Sequence, residues 1–179
     1  MADLSGRIIP IPDSGGLIMI PDCCLLQALY NSKRGPWSNI RGVKVVAGSL
    51  GVGVDKNPWF EYGGSDFKNV CQFIASPFTH APAGAFDCHV WVEDQEGRIY
   101  DIITPYLREV ASFHGKKFRV KDAMIQGETR EALAAMGLHY IIAPGIASDA
   151  LIAVMGRNHD YGDAAMDRIT EAYRTAQRN

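Results

Sequence analysis

Three residues spread over 78 positions of this chain have the types needed for thiol chemistry. They are a cysteine at the start of an apolar helical stretch (Cys23 or Cys24), His89 and Asp101. A sulfur at a helix N-terminus sits at the positive end of the backbone dipole, which favours thiolate over thiol. The unpaired amide donors of the same first turn can also receive the oxyanion formed when sulfur attacks a carbonyl. An imidazole beside that sulfur would be its base, and a carboxylate beside the imidazole would fix the tautomer. Cys24 is the preferred nucleophile. Its +1, +4 and +5 neighbours, Leu25, Ala28 and Leu29, anchor the helix, whereas Cys23 would have Cys24, Gln27 and Ala28 there. Cys23 stands as the alternative.

The elements that must position these residues can be read in outline. Pro21-Asp22 opens a helix over about Cys23–Ser32, with Asp22 as N-cap and Gly35-Pro36 as the stop. Leu25, Ala28, Leu29 and Ser32 share one face, flanked by Leu26 and Tyr30, which predicts a largely buried helix. Val43–Leu50 is a β-branched run between glycines, and Trp59–Tyr62 is short and aromatic. Cys88–Val92 and Arg98–Ile103 flank Asp94-Gln95-Glu96-Gly97, which suits a type I turn with Gly97 left-handed and a G1 bulge. In that register Trp91 faces Asp101. His89, Trp91, Asp101 and Ile103 share one face, with Val90, Val92, Tyr100 and Ile102 on the other. His89 and Asp101 become diagonal neighbours, about 7 Å apart at the backbone and within reach of an imidazole. A one-residue slip would put Asp101 on the apolar face beside Val90, so the hydrophobic pattern itself selects the register the triad needs.

The segment from Asp87-Cys88-His89-Val90-Trp91-Val92 through Gly97-Arg98-Ile99-Tyr100-Asp101 resembles the His-Ala-Trp-Val…Asp-Gly-Arg-Val-x-Asp segment of papain-like and transglutaminase-like cysteine enzymes. Its wording is also similar to that of protein N-terminal glutamine amidohydrolases. Val45–Gly51 resembles the glycine-containing strand that precedes the histidine strand in such domains. The resemblance spans roughly residues 22–105. It implies an α+β fold in which an N-terminal catalytic helix packs on an antiparallel sheet, with Cys24, His89 and Asp101 as the triad. It further implies a hydrolase or acyl transferase that acts on an amide (peptide, isopeptide or glutamine carboxamide) through a thioester. Two departures stand out. Asp101 is followed by Ile102-Ile103-Thr104-Pro105 rather than directly by Pro-Thr, and no glutamine lies just upstream of the cysteine. These features keep open the alternative of a non-catalytic protein-binding module on the same fold.

Length and composition frame this reading. A chain of 179 residues, 47% hydrophobic and 21% charged, suits one globular domain. We take 1–179 as that domain, with 1–21 as an extended lead-in and 106–179 as a helical C-terminal elaboration. In the latter, Phe118–Val120 reads as a short strand, Glu128–Met136 as a helix closed by Gly137, Leu138–Ala143 as a strand, Ser148–Met155 as helix, and Asp163–Gln177 as an amphipathic helix. With 18 basic and 20 acidic residues, the net charge of -2 argues against nucleic acid or an anionic membrane as partner. A protein or peptide substrate is expected instead. Four cysteines without a C-x-x-C pair, and a start lacking the signal-peptide pattern, point to reduced thiols in the cytoplasm. No cofactor is expected. No metal is expected either, since Cys23, Cys24, Cys88 and His89 match no zinc spacing. Trp91 reads as packing beside the triad or as a substrate-binding wall there, and Cys88, on the opposite face from His89, as core.

Overall fold

A computed structural model describes residues 9–10, 15–19, 24–53, 59–62, 88–118, 120, 124–143, 148–149, 152–153 and 162–176. The proposed N-cap Asp22 and the alternative nucleophile Cys23 lie outside them. The elements are β1 (Ile9–Pro10), β2 (Ile18–Met19), α1 (Cys24–Lys33), a 3₁₀ turn (Pro36–Asn39), β3 (Lys44–Val52), β4 (Phe60–Tyr62), β5 (His89–Glu93), β6 (Ile99–Asp101), α2 (Thr104–Phe113), β7 (Ile125–Glu128), α3 (Arg130–Ala135), β8 (Leu138–Ile142) and α4 (Asp163–Ala176). The arrangement is α+β, with an open antiparallel sheet and several helices. Among the described residues no helix is long and apolar enough to cross a membrane.

Strand β3 organises the sheet. It pairs with β5 over Lys44–Gly48, with β4 over Leu50–Val52 and with β8 over Gly48–Val52. Gly48 faces both His89 and Ile142, and Leu50 faces both Tyr62 and Tyr140. Strands β5 and β4 therefore share one edge of β3 while β8 holds the other. Among the described residues, no strand pairs with the first of these edges at Ser49, between the β5 and β4 pairings. The chain of pairings continues from β5 to β6 to β7.

Strand alternation divides the core in two. On one face Ala47, Val90, Val92, Tyr100 and Ile102 pack with Leu25 and Ala28 of α1. On the other, Val46, Leu50, Trp91 and Ile99 pack with Leu107 of α2 and Leu133 of α3. The second flank of α1 is covered too, because Leu26 and Tyr30 meet Ile18, Met166 and Ile169. With apolar partners on both sides, the two polar residues in the middle of α1 are buried as well. Asn31, fully buried, is satisfied by Ile18, donating to its carbonyl at 3.0 Å and accepting from its amide at 3.3 Å.

The 106–179 segment is more than the helical elaboration expected from sequence. It supplies β7 and β8, and β8 lies directly on β3. The LHYII run buries Leu138 and Tyr140 and exposes Ile141 at 48%, an alternation that only a sheet neighbour can use. Phe118 and Val120 are not in a strand; the strand of this region is Ile125–Glu128. Glu128 belongs to that strand, and the following helix begins later because Thr129 caps it, accepting from the Ala132 amide at 3.3 Å. The helix ends, as expected, before Gly137 with φ 88°. A helix at Thr104–Phe113 was not foreseen. It starts with Pro105 in its first turn, where a missing amide costs nothing. The described residues of the Ser148–Met155 stretch are helical, and α4 buries Ala165, Met166 and Ile169 as its pattern required.

Candidate active site

The Asp94–Arg98 turn sets the site. Gly97 has φ 74°, the Gly97 amide donates to the Asp94 carbonyl at 3.1 Å, and the Asp94 amide donates to the Arg98 carbonyl at 3.1 Å. Inside the turn, Asp94 Oδ1 accepts from the Glu96 and Arg98 amides, and Oδ2 accepts from Arg98 Nε at 2.7 Å and Tyr100 OH at 3.2 Å. Burial pushes this carboxyl up, but those donors outweigh burial and hold it below the ordinary aspartate value. The resulting register pairs Val92 with Tyr100 and Glu93 with Ile99, the one the hydrophobic pattern selected.

That register brings His89 and Asp101 together. Nε2 of His89 donates to Oδ2 of Asp101 at 2.6 Å, a short charge-assisted bond between two side chains that are each 1% exposed. Cys24 is the first residue of α1 and only half-buried. It packs against the α1-side core, and its Sγ lies 3.8 Å from the carbonyl of Cys88, the residue before His89. Cys24 is also near enough to the His89 ring to contribute, after Asp101, to raising its pKa. Nε2 of the ring is committed to Asp101. Helix α1 packs on the sheet face opposite to that of Trp91, the strand neighbour of His89 on its own side. Cys88 is buried in the core, as expected.

Burial presses the His89 imidazole toward its neutral form. The charge and hydrogen bond of Asp101, then the contact with Cys24, more than reverse this and raise its pKa to about 10. A positively charged ring therefore stands beside the sulfur at neutral pH. Because Cys24 opens the helix, the first amides of α1 have no intrahelical acceptor.

The structure also supplies partners that sequence reasoning missed. Tyr140 OH donates to the same Oδ2 of Asp101 at 2.7 Å. Burial, then the neighbouring Asp101 charge, hold this phenol well above its ordinary value, so it remains a donor. Trp91 is not a substrate wall. It is 1% exposed and stacks under His89, with centroids 5.8 Å apart and planes at 26°. Alternation with Val90 and Val92 turns it into the core below α2 and α3, not toward solvent. Its indole donates to Glu93 at 2.9 Å, and the buried Glu93 carboxylate is matched by a hydrogen bond from Arg130 and by Lys44 at 3.8 Å. Tyr140 meets Trp91 edge-on at 5.1 Å. Tyr140 lies in the Leu138–Ala143 run read as a strand, but nothing local said which strand that run would join. Arg130 lies 37 residues from Glu93 and carried no signal at all.

Gly48 is required by the same assembly. A Cβ there would lie 2.1 Å from the Ile141 carbonyl oxygen and 2.7 Å from Cη2 of Trp91. The first atom is backbone and cannot yield without opening the β3–β8 ladder. Gly48→Ala is expected to cost about 1–3 kcal/mol or more and to tilt Trp91 under His89. Urea unfolding of the two proteins measures this, and an unchanged midpoint would contradict it.

Among the described residues no group of three His, Cys, Asp or Glu side chains is placed to hold a metal ion. No protein-family model, no curated protein and no solved structure matches the chain.

Proposed function

We propose that the protein is a cysteine-dependent hydrolase or acyl transferase that acts on an amide through a thioester. On this reading its α+β architecture is a variant of the papain-like or transglutaminase-like arrangement. The observation that carries the proposal is the His89–Asp101 pair with Cys24 near the ring: a half-buried sulfur at a helix start, an imidazole raised to about 10 by Asp101 and then Cys24, and a carboxylate 2.6 Å from that imidazole. Structural ion pairs alone do not require the third member at a helix N-terminus.

The chemistry follows from the placement. The Cys24 sulfur attacks the amide carbon and forms the C–S bond, while the carbonyl π electrons move to oxygen. The first amides of α1, which have no acceptor within the helix itself, are the donors proposed for that oxyanion in place of an upstream glutamine. Collapse breaks the C–N bond, and the leaving amine or ammonia takes the proton held by His89. Water, or an acceptor amine, then attacks the thioester. His89 takes a proton from it, the C–S bond breaks, and the sulfur leaves as thiolate beside the again protonated ring. Asp101 keeps the ring oriented through both steps. No step needs a cofactor. The substrate is a protein or peptide, or a glutamine carboxamide carried on one. Thiol chemistry at Cys24 suits a reducing compartment such as the cytoplasm.

Alkylation with iodoacetamide at pH 6, followed by peptide mapping, tests the reading without knowledge of the substrate. The expected result is rapid labelling at Cys24 alone. Equal and slow labelling of every accessible thiol would favour the non-catalytic binding module.

A further inference from the structure

We propose that Tyr140 is a positioning residue that moderates the hold of Asp101 on the His89 proton. This rests on the thiol–imidazole reading above and extends it to a residue from a distant part of the chain.

Oδ2 of Asp101 is shared. It accepts from His89 at 2.6 Å and from Tyr140 at 2.7 Å, and all three side chains lie out of water. A carboxylate oxygen that already accepts from a phenol carries less negative potential toward its second donor. The difference matters most when His89 is neutral, because the carboxylate is then uncompensated except by the phenol. Tyr140 therefore stabilises the neutral-ring state more than the charged-ring state. It lowers the proton affinity of an imidazole that the Asp101 carboxylate has raised against the effect of burial. For a general acid this is useful, since a proton bound too tightly is poorly delivered to a leaving amine near neutral pH.

The phenol is well held for this role. It lies on β8, whose pairing with β3 sets Tyr140 opposite Leu50, and its ring sits edge-on against Trp91 and tilted 46° to His89 at 6.1 Å. Tyr140→Phe preserves those ring contacts and removes one hydroxyl.

The test uses iodoacetate, whose negative charge makes its reaction with Cys24 fastest while His89 is protonated. The rate against pH should fall on the alkaline side as His89 loses its proton. In Tyr140→Phe that fall is expected to move up by about half to one pH unit. With 3-fluorotyrosine installed at position 140, a stronger donor of nearly the same shape, it is expected to move down. The second variant also serves if Tyr140→Phe does not fold. Proton NMR of the His89 Nε2–H gives a readout independent of the sulfur: losing the competing phenol should shift this proton further downfield. A purely structural tyrosine would scale the alkylation rate without moving the profile or the proton, and that outcome overturns the proposal. If the wild type shows no alkaline fall but the ring proton still moves, the cysteine-enzyme reading fails while the positioning role stands.

Discussion

Replacing His89 by alanine is expected to slow alkylation of Cys24 by iodoacetamide at pH 6 about a hundredfold. Without the imidazolium, the sulfur would react as an ordinary thiol. At a pKa near 8.5, roughly 0.3% of such a thiol is ionised at pH 6, and only the thiolate reacts. An imidazolium next to a sulfur favours the charged, reactive thiolate over the thiol. The intrinsic nucleophilicity of a stabilised thiolate is lower, which trims the effect but does not remove it. At pH 9 the ordinary thiol is largely ionised, so the difference between variant and wild type should shrink to a few-fold. This pH dependence separates loss of the imidazolium from a general loss of access. The measurement is the second-order rate at Cys24 by mass spectrometry at both pH values, with buried Cys88 as an internal control. A change of less than about threefold at pH 6 would sink the pairing of sulfur and imidazole.

Asp101→Asn is expected to lower stability by about 3–5 kcal/mol at pH 7. The substitution leaves His89 buried without its counter-charge, and it puts an amide where Tyr140 and His89 both need an acceptor. The loss has a definite pH signature. In the folded wild type the His89 pKa is raised from 6.5 to about 10, against burial, chiefly by Asp101. Such a group stabilises the fold fully below about pH 6.5 and progressively less as pH rises through 10, because the unfolded chain gives up the proton first. Wild-type stability should therefore decline between pH 7 and 10 by more than that of Asp101→Asn. Urea unfolding at pH 6, 7, 8.5 and 10 gives the comparison, and the difference between the two proteins isolates this pair from the lysines and tyrosines that titrate nearby. Parallel curves would mean that the carboxylate does not hold the ring in its charged form.

How much of the site could be read beforehand depended on how far apart its members lie in sequence. His89 and Asp101 are joined by a hairpin whose turn residues and alternating apolar positions admit one register, and that register is the observed one. The helix of Cys24 was visible from its apolar spacing and its Gly-Pro stop, and its burial followed. The misreadings were of another kind. Trp91 was placed on the correct face but given to a substrate, because alternation states which residues share a side and not what covers that side. Its cover comes from Leu107 and Leu133, far along the chain.

The sequence alone determined the local geometry: a sulfur at a helix start, an imidazole and a carboxylate one strand apart, and an α+β order of elements. Those features are set by hydrogen bonds and side-chain periods over a few residues, which the chain cannot evade without exposing apolar surface. Only the tertiary structure decided that β8 would close the second edge of β3, that Tyr140 would share the Asp101 oxygen, and that Cys24 would come near enough to His89 to help raise its pKa. Pairing between distant strands depends on the burial of whole faces at once. Leu138 and Tyr140 find their place only when β3, α2 and α3 are already there to cover them.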